Sequence, residues 1–175
     1  NINYMFQENK IEIIPDFLDQ PDLKKIQELT LDTGNFPYFY QKTLVFDPQN
    51  PESEGKGFFF SHQLYVEGRS NSDYFSEICL PLLAPLKFKK LIRAKINLYT
   101  QMHKPLTSLL HTDQDASHTV ALYSVNTNNG YTFLKDGEKI PSIENQMVIF
   151  NGNRQHAAVT QTNTKIRVNI NINIL

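Results

Sequence analysis

The tripeptide His111-Thr112-Asp113, taken together with His156 further along the chain, decides how the rest of the sequence is interpreted. On an extended strand, residues i and i+2 point to the same side, so the imidazole of His111 and the carboxylate of Asp113 should converge. His156 follows several predicted strands later, in Asn151-Gly152-Asn153-Arg154-Gln155-His156. Two imidazoles and one carboxylate can bind one face of a metal ion and leave the other face open, which is typical of non-haem Fe(II) sites.

Arg167 lies on the next predicted strand, Lys165-Ile166-Arg167-Val168-Asn169-Ile170. A guanidinium is a rigid fork of donors that can pair with a carboxylate through two parallel hydrogen bonds. We therefore interpret Arg167 as the partner of an anionic co-substrate. An ordinary exposed strand arginine is the structural alternative.

The sequence contains, in this order, a His-x-Asp pair, a distal histidine and an arginine about ten residues later. This ordered motif resembles that of the Fe(II)/2-oxoglutarate-dependent oxygenases, specifically their prolyl-4-hydroxylase-like branch. The resemblance covers residues 91–175. Three flanking stretches support it, namely Ile96-Asn97-Leu98-Tyr99, Ala121-Leu122-Tyr123-Ser124-Val125-Asn126 and Met147-Val148-Ile149-Phe150-Asn151.

The resemblance implies two cofactors and a reaction. Fe(II) would be held by His111, Asp113 and His156, and 2-oxoglutarate would place its distal carboxylate on Arg167. The reaction would consume O₂, convert 2-oxoglutarate to succinate and CO₂, and hydroxylate a C–H bond of a peptidyl proline or a small molecule. The resemblance also allows ascorbate as a further cofactor.

Three more residues are candidates for co-substrate contact. Tyr99 matches a family position that contacts the co-substrate, with a core tyrosine as the structural alternative. Thr132 matches a threonine that follows paired glycines in the family, whereas only Gly130 precedes it here. Asn169 is included from strand alternation alone, because it shares a face with Arg167.

Two other classes of protein are alternatives to the oxygenase. A cupin-like metal-binding jelly-roll enzyme that does not use 2-oxoglutarate would have no need of Arg167. A non-enzymatic domain that retains the fold would be marked by a lost ligand, and none is lost in the sequence.

The pattern of elements predicts a mainly β protein, a double-stranded β-helix (jelly roll) with supporting N-terminal helices, in a single domain spanning residues 1–175. Asp19 and Pro21 predict the start of a helix that ends near Leu31, and a second helix is expected over residues 72–86, where Pro81 and Pro85 should shorten or kink it. Asn129-Gly130 and Asp136-Gly137 are typical of hairpin turns. Strands are expected over residues 10–14, 36–46, 58–66, 91–100, 118–126, 146–150 and 164–174.

The last predicted strand alternates between two kinds of side chain. If Arg167 points into the barrel, then Asn169, Asn171 and Asn173 do so as well, and the Val168 and Ile170 face points outward. An uncovered apolar face on such a strand would promote aggregation, so we expect the two helices to cover it.

Substrate specificity is expected from residues 36–69, which should lie over the mouth of the barrel. Tyr38, Tyr40 and His62 are the candidate substrate contacts, although a strand histidine satisfied by its own neighbours is the alternative for His62. Residues 47–57 have the composition of a loop, and we expect this loop to be mobile without substrate and to order over it.

Composition limits the remaining possibilities. A net charge of −1 gives no basic excess of the kind that marks nucleic-acid-binding proteins, so no nucleic-acid partner is expected. The single Cys79 permits no internal disulfide and suits a reducing cytoplasm. No apolar run approaches the roughly 20 residues of a membrane span, and no signal-peptide pattern opens the sequence, so no membrane association is expected. The oligomeric state is not predicted.

Overall fold

The computed structural model describes residues 10–32, 34–44 and 57–175. Two α-helices lie in these ranges, α1 (Gln20–Gln27) and α2 (Phe75–Leu83), and α1 continues into a π-helical segment, Glu28–Asp32. The strands are β1 (Glu12–Ile14), β2 (Phe39–Gln41), β3 (Phe59–Val66), β4 (Arg69–Ser70), β5 (Leu91–Thr100), β6 (Thr119–Ser124), β7 (Asn128–Leu134), β8 (Lys139–Ser142), β9 (Gln146–Asn151), β10 (His156–Val159) and β11 (Ile166–Ile174).

These strands form two antiparallel sheets within the described ranges. The larger has the order β1-β9-β6-β11-β5-β3-β2, with β4 on the free end of β3, and the smaller has the order β10-β7-β8. The mainly β architecture confirms the predicted jelly-roll fold with few helices.

Strand β11 lies in the middle of the larger sheet and its two faces differ sharply. Its apolar face is made of side chains from Val168 to Ile174, all buried, which join the core cluster that includes Ile26 of α1 and Leu82 of α2. The predicted cover for this face is therefore confirmed. The opposite face carries Arg167 and three asparagines, and it lines the space between the two sheets.

The space between the sheets has an apolar half and a polar half. Val120 and Leu122 of β6 pack there with Phe150 of β9 and with Leu134 and Ile140 of the smaller sheet. The polar half is formed by β11 and β5, whose register places Arg167 opposite Tyr99 and Asn171 opposite Lys95. The candidate site lies where these halves meet.

The two helices follow the sequence signals closely. The Asp19 carboxylate accepts a hydrogen bond from the Asp22 backbone N–H at 3.0 Å and caps α1 as predicted. The final turn widens into the π-helical segment, where Thr30 Oγ donates to the carbonyl of Ile26 at 2.7 Å. Helix α2 contains Pro81 and ends two residues before Pro85, so it covers only part of residues 72–86, in line with the shortening expected from the prolines.

Several predicted elements need correction. Asn129-Gly130 lies inside β7 and is not a hairpin turn, because β7 shifts register against β8 between Asn128 and Tyr131. Asp136-Gly137 does form the predicted turn, with Gly137 at φ 100°. Within residues 36–44 the predicted strand is limited to β2, and residues 45 and 46 lie outside the described ranges. Strands β4, β7, β8 and β10 were not predicted. The predicted loop over residues 47–57 lies almost entirely outside the described residues.

Neither described helix combines the length and the apolar character that crossing a membrane would require.

Candidate metal centre

His111 and His156 are brought together by backbone pairing. The His111 backbone N–H donates to the carbonyl of His156 at 3.0 Å, and the His156 N–H donates back at 2.9 Å. This isolated bridge, with a second one between Thr107 and Val159, attaches residues 107–111 to the outer edge of β10. The ring centroids of the two histidines are 4.7 Å apart.

Both imidazoles are oriented in the same way. Nδ1 of His111 lies 3.1 Å from the carbonyl oxygen of Leu109, and Nδ1 of His156 lies 3.1 Å from that of Arg154. A carbonyl can only accept, so each Nδ1 carries the proton and each Nε2 keeps its lone pair. Metal-binding histidines are held in this manner, with one ring nitrogen donating to a neighbour and the other bound to the ion.

Asp113 completes the group. Ligand atoms of His111, Asp113 and His156 all lie within 4.8 Å of one another, the only such three-residue group within the described ranges. Asp113 lies in a bend rather than on the extended strand that was expected, so strand alternation is not what aligns it with His111. Its position is set instead by donors on two strands of the larger sheet.

Three side chains donate to the Asp113 carboxylate. Arg93 Nη2 contacts Oδ1 at 2.7 Å, while Asn171 Nδ2 and Asn173 Nδ2 contact Oδ2 at 2.9 and 3.1 Å. A carboxylate offers about four lone-pair positions, and three are used here. One position on Oδ1 is therefore left for a metal ion.

The electrostatics keep Asp113 and His111 in the form that a metal needs. Burial alone would raise the pKa of Asp113, but Arg93, His156 and the two asparagines outweigh it, and the pKa lies well below its ordinary value of 3.8. Burial, and then the neighbouring His156, lower the pKa of His111 below 6.5. An ionised carboxylate and a neutral imidazole are the ligand forms of these residues.

Arg167 is only 2% exposed and lies directly behind Thr132 and Tyr99, two residues that line the cavity between the sheets. Its Nη1 donates to the carbonyl of Val159 at 2.9 Å and its Nη2 to Thr132 Oγ at 3.3 Å. The guanidinium also lies over the Tyr99 ring, 5.2 Å from its centroid. Burial lowers the pKa of Arg167, yet a guanidinium stays protonated in proteins. No ion pair joins it to an acidic side chain in the part of the chain that the structure describes.

The remaining co-substrate candidates lie between the metal ligands and Arg167. Asn169 accepts a hydrogen bond from Asn97 Nδ2 at 3.0 Å, and the Tyr99 ring stacks on Phe59 at 5.6 Å. Tyr99, Thr132 and Asn169 all line the cavity that also contains the three candidate ligands. The structure therefore places the three candidate ligands and three of the four co-substrate candidates around one cavity, with Arg167 in contact with two of its lining residues.

The predicted substrate residues are not gathered there. His62 pairs with Ile96, which faces the helices, so His62 lies on the opposite face of the larger sheet. Its Nδ1 lies 2.6 Å from the carbonyl of Pro37 and its Nε2 2.7 Å from Ser72 Oγ. Tyr38 packs against the same helix-side core and donates to the carbonyl of Thr30 at 3.2 Å. Tyr38 and His62 are thus not placed to contact a substrate held at the metal centre.

Tyr40 is 62% exposed at the edge of the larger sheet, where its ring lies 6.0 Å from those of Phe58 and Phe60. It does not line the cavity among the described residues. Asn171 and Asn173 are site residues that the sequence placed on the inner face without assigning them to Asp113. Finding the contacts of these two asparagines with Asp113 would have required knowing how β11 pairs with β5.

The fold can be compared with known proteins. No protein-family model and no curated protein matches the chain. Among solved structures, the chain is similar to a 2OG-Fe(II) oxygenase family oxidoreductase from Burkholderia pseudomallei, with a TM-score of 0.66 and 11% identity over 94% of this chain and 84% of that one. It is also similar to a prolyl hydroxylase from Trichoplax adhaerens in complex with a peptide fragment of hypoxia inducible factor, with a TM-score of 0.66 and 14% identity over 95% and 84% of the two chains.

A third similar structure is SnoN, a non-heme alpha ketoglutarate dependent epimerase from nogalamycin biosynthesis. The TM-score is 0.65, with 12% identity over 96% of this chain and 78% of that one. At such identities the comparisons establish the fold, which is that of the 2-oxoglutarate and Fe(II) oxygenases.

Proposed function

We propose that the chain is an Fe(II)- and 2-oxoglutarate-dependent oxygenase that hydroxylates a C–H bond of its substrate. One observation carries the proposal. His111, Asp113 and His156 converge at one end of a polar groove, and behind Thr132 and Tyr99 of its lining lies Arg167, a buried cation without an acidic partner among the described residues. A buried charge is costly unless it is paired, and a dicarboxylate bound at the metal would supply the missing anion.

The donor set fits Fe(II). His111 and His156 would bind through Nε2 and Asp113 through Oδ1, which leaves further positions for co-substrate and O₂. Arg93 and the two asparagines would hold the carboxylate in one orientation, so the ligands need little rearrangement. Bound there with 2-oxoglutarate, Fe(II) supplies the activation of O₂ and the oxidative decarboxylation that yields succinate and CO₂.

Arg167 would bind the distal carboxylate of 2-oxoglutarate. Thr132 accepts from its Nη2 and the Tyr99 ring supports its guanidinium plane, so the fork is fixed before the ligand arrives. Asn169 is paired with Asn97, and this pair lies next to the Arg167–Tyr99 pair on the side of the metal ligands. Asn169 would therefore contact the middle of the co-substrate. A cupin-like enzyme that does not use 2-oxoglutarate remains the alternative, but in such an enzyme Arg167 would have no carboxylate of a co-substrate to bind.

The similar structures support a peptide or small-molecule substrate and more than one type of reaction. The Trichoplax prolyl hydroxylase holds a peptide, whereas SnoN is an epimerase. Hydroxylation is therefore the part of the proposal that product analysis must test. A stimulation by ascorbate and a cytoplasmic location stay predictions.

Anaerobic titration tests the proposal directly. Fe(II) followed by 2-oxoglutarate should give a weak visible charge-transfer band in the wild-type protein. In Arg167→Ala we expect 2-oxoglutarate to bind about thirtyfold to several thousandfold more weakly, because truncating one side of a buried charged pair costs roughly 2–5 kcal/mol. Arg167→Lys keeps the charge but loses the fork, so its affinity should be intermediate.

Iron binding by itself should change little in both Arg167 variants and should weaken in His111→Ala and Asp113→Ala. Arg69→Ala is the control, because Arg69 is exposed on β4 at the end of the larger sheet and does not line the cavity. Unchanged iron occupancy in both ligand variants would remove the metal assignment. A normal 2-oxoglutarate affinity in Arg167→Ala would remove the co-substrate assignment.

A further inference from the structure

Three cationic side chains follow one another along the inner face of the groove. The pairing of β5 with β11 places Tyr99 opposite Arg167, Lys95 opposite Asn171, and Arg93 opposite Asn173. Residues four apart on a strand are separated by about 13 Å, so the Lys95 pair lies roughly that far from the Arg167 pair. Lys95 and Arg93 are therefore at the metal end of the groove.

Two of the three cations have an assigned use. Arg93 is paired with Asp113 at 2.7 Å, and that contact holds a candidate metal ligand in place. Arg167 is reserved for the distal carboxylate in the function proposed above. Lys95 lies between them along the face and belongs to neither contact.

Lys95 has no counter-ion within the described residues. Its Nζ lies 5.5 Å from the centroid of the Phe59 ring, and no hydrogen bond or ion pair from it is found there. The side chain is half-buried and lines the cavity that contains the three candidate ligands. Burial, together with the nearby Arg93, lowers its pKa to about 8, and Asp113 offsets part of this. A lysine in such surroundings is stabilised by any anion that enters the cavity.

Counted over the described residues, the charges of the loaded site do not balance. Arg93, Lys95, Arg167 and a divalent ion provide five positive charges. Asp113, the only acidic residue among the described residues that line the cavity, and a 2-oxoglutarate dianion provide three negative charges. An excess of two positive charges in a partly enclosed cavity favours the binding of a negatively charged ligand.

We infer that Lys95 binds a carboxylate of the substrate, so that the substrate is an acid whose anionic group lies close to the carbon that is oxidised. This inference rests on the proposed function and narrows its substrate class. The distal carboxylate of 2-oxoglutarate is not the partner of Lys95. The four C–C bonds of 2-oxoglutarate, about 1.5 Å each, span at most about 6 Å. A molecule that binds the metal at one end and Arg167 with its distal carboxylate therefore cannot also reach Lys95 with that carboxylate. The other carboxylate of 2-oxoglutarate is the remaining rival for Lys95.

The experiment compares acids with their neutral counterparts. The protein is loaded with Zn(II) and 2-oxoglutarate, and the probes are free L-amino acids, each paired with its carboxamide, which differs only in lacking the negative charge. Binding is measured by saturation-transfer NMR and competition, which does not depend on turnover. Zinc and 2-oxoglutarate affinities are determined first in separate titrations, so a failure of the oxygenase proposal would be seen there.

We expect at least one acid to bind more tightly than its amide in the wild-type protein. Lys95→Met should weaken that acid by about tenfold to a hundredfold and leave the amide unchanged, because a hydrogen bond to a charged group is lost. Lys95→Arg should retain most of the preference. Lys139→Met is the matched control, since Lys139 also lies over an aromatic ring, Tyr131 at 4.9 Å, but outside the cavity.

Two results would overturn the inference. A loaded wild-type protein that binds no acid more tightly than its amide has no carboxylate subsite of this kind. A Lys95→Met protein that loses 2-oxoglutarate affinity as strongly as acid affinity would assign Lys95 to the co-substrate. If Lys95→Met does not fold, Lys95→Gln gives the same comparison with a polar side chain of similar length.

Discussion

At the scale of single residues, Gly130 determines how much room Arg167 has. A Cβ at this position would lie 2.9 Å from Arg167 Cδ, from Asn128 Oδ1 and from the carbonyl oxygen of Val159. Real Cβ atoms do not approach other atoms so closely. The glycine is therefore required by the packing of β7, β10 and β11 around the guanidinium, and not by the turn that its sequence context suggested.

Gly130→Ala should weaken 2-oxoglutarate binding and leave the metal affinity unchanged. The added methyl group must displace Arg167 or the backbone of β10, and overpacking of this kind typically destabilises a protein by about 1–3 kcal/mol. Isothermal titration with each ligand and thermal unfolding would measure the two effects.

Gly152→Ala is the control for this prediction. Its Cβ would meet the ring of His118 at 2.2 to 2.5 Å, so stability should fall, but Arg167 is not among its neighbours. The assignment of Gly130 to the co-substrate site is wrong if both glycine variants bind 2-oxoglutarate as the wild type does.

At the scale of elements, β11 separates stability from chemistry on its two faces. Ile172 is fully buried against the helix side, while Asn171 on the other face donates to Asp113 at 2.9 Å. Adjacent residues of one strand thus serve the core and the candidate metal centre independently.

Ile172→Ala should lower the free energy of unfolding by about 2–5 kcal/mol and preserve the metal affinity of the folded protein. Asn171→Ala should do the reverse. Its stability loss should be about 1 kcal/mol, and its metal affinity should fall by about ten- to a hundredfold because a partner of the ligand carboxylate is removed. Urea unfolding and a zinc competition assay on both variants would check this. Equal metal affinities in the two variants would contradict the separation.

Elements also show where prediction from sequence reached its limit. The alternation of β11 predicted both of its faces, because one run of nine residues contains the whole pattern. The face of His62 depends on how β3 pairs with β5, and that pairing shifts register between Gln63 and Tyr65. His62 precedes this shift, so its face is set by its pairing with Ile96, and alternation within β3 does not say which of the two faces meets the helices.

At the scale of the whole molecule, the candidate metal centre joins the two sheets. His156 belongs to the smaller sheet, whereas Asp113 is tied by hydrogen bonds to β5 and β11 of the larger one. The three candidate ligands could be proposed from sequence because their residue types and order are distinctive, and the structure brings them together. The way in which three long-range partners orient Asp113 could not, since it requires the assembled sheet.

Metal binding should therefore raise the melting temperature, and the rise should shrink in acid. An imidazole must be neutral to bind, so affinity is fully present above the pKa of His111, which lies below 6.5, and falls by about tenfold per pH unit beneath it. Asp113 stays ionised through this range because its pKa is well below 3.8. Thermal shifts with and without Zn(II) between about pH 7 and about pH 5 would measure the loss. The same series on His111→Ala isolates the contribution of this imidazole, and a variant with the affinity and pH profile of the wild type would exclude His111 as a ligand.

The repeating sequence of β11 has a consequence for how the strand finds its place. Val168-Asn169-Ile170-Asn171-Ile172-Asn173-Ile174 looks the same after a slide of two residues, so such a slide would keep every asparagine inside and every isoleucine outside. The alternation of polar and apolar residues alone therefore does not distinguish the correct register of β11 from one shifted by two residues. The slide would carry Arg167 about 7 Å away from Thr132 and deprive Asp113 of one asparagine. The contacts of Arg167 and of the asparagines therefore do two things. They prepare the site for its ligands, and they favour the correct register of β11 over the register shifted by two residues.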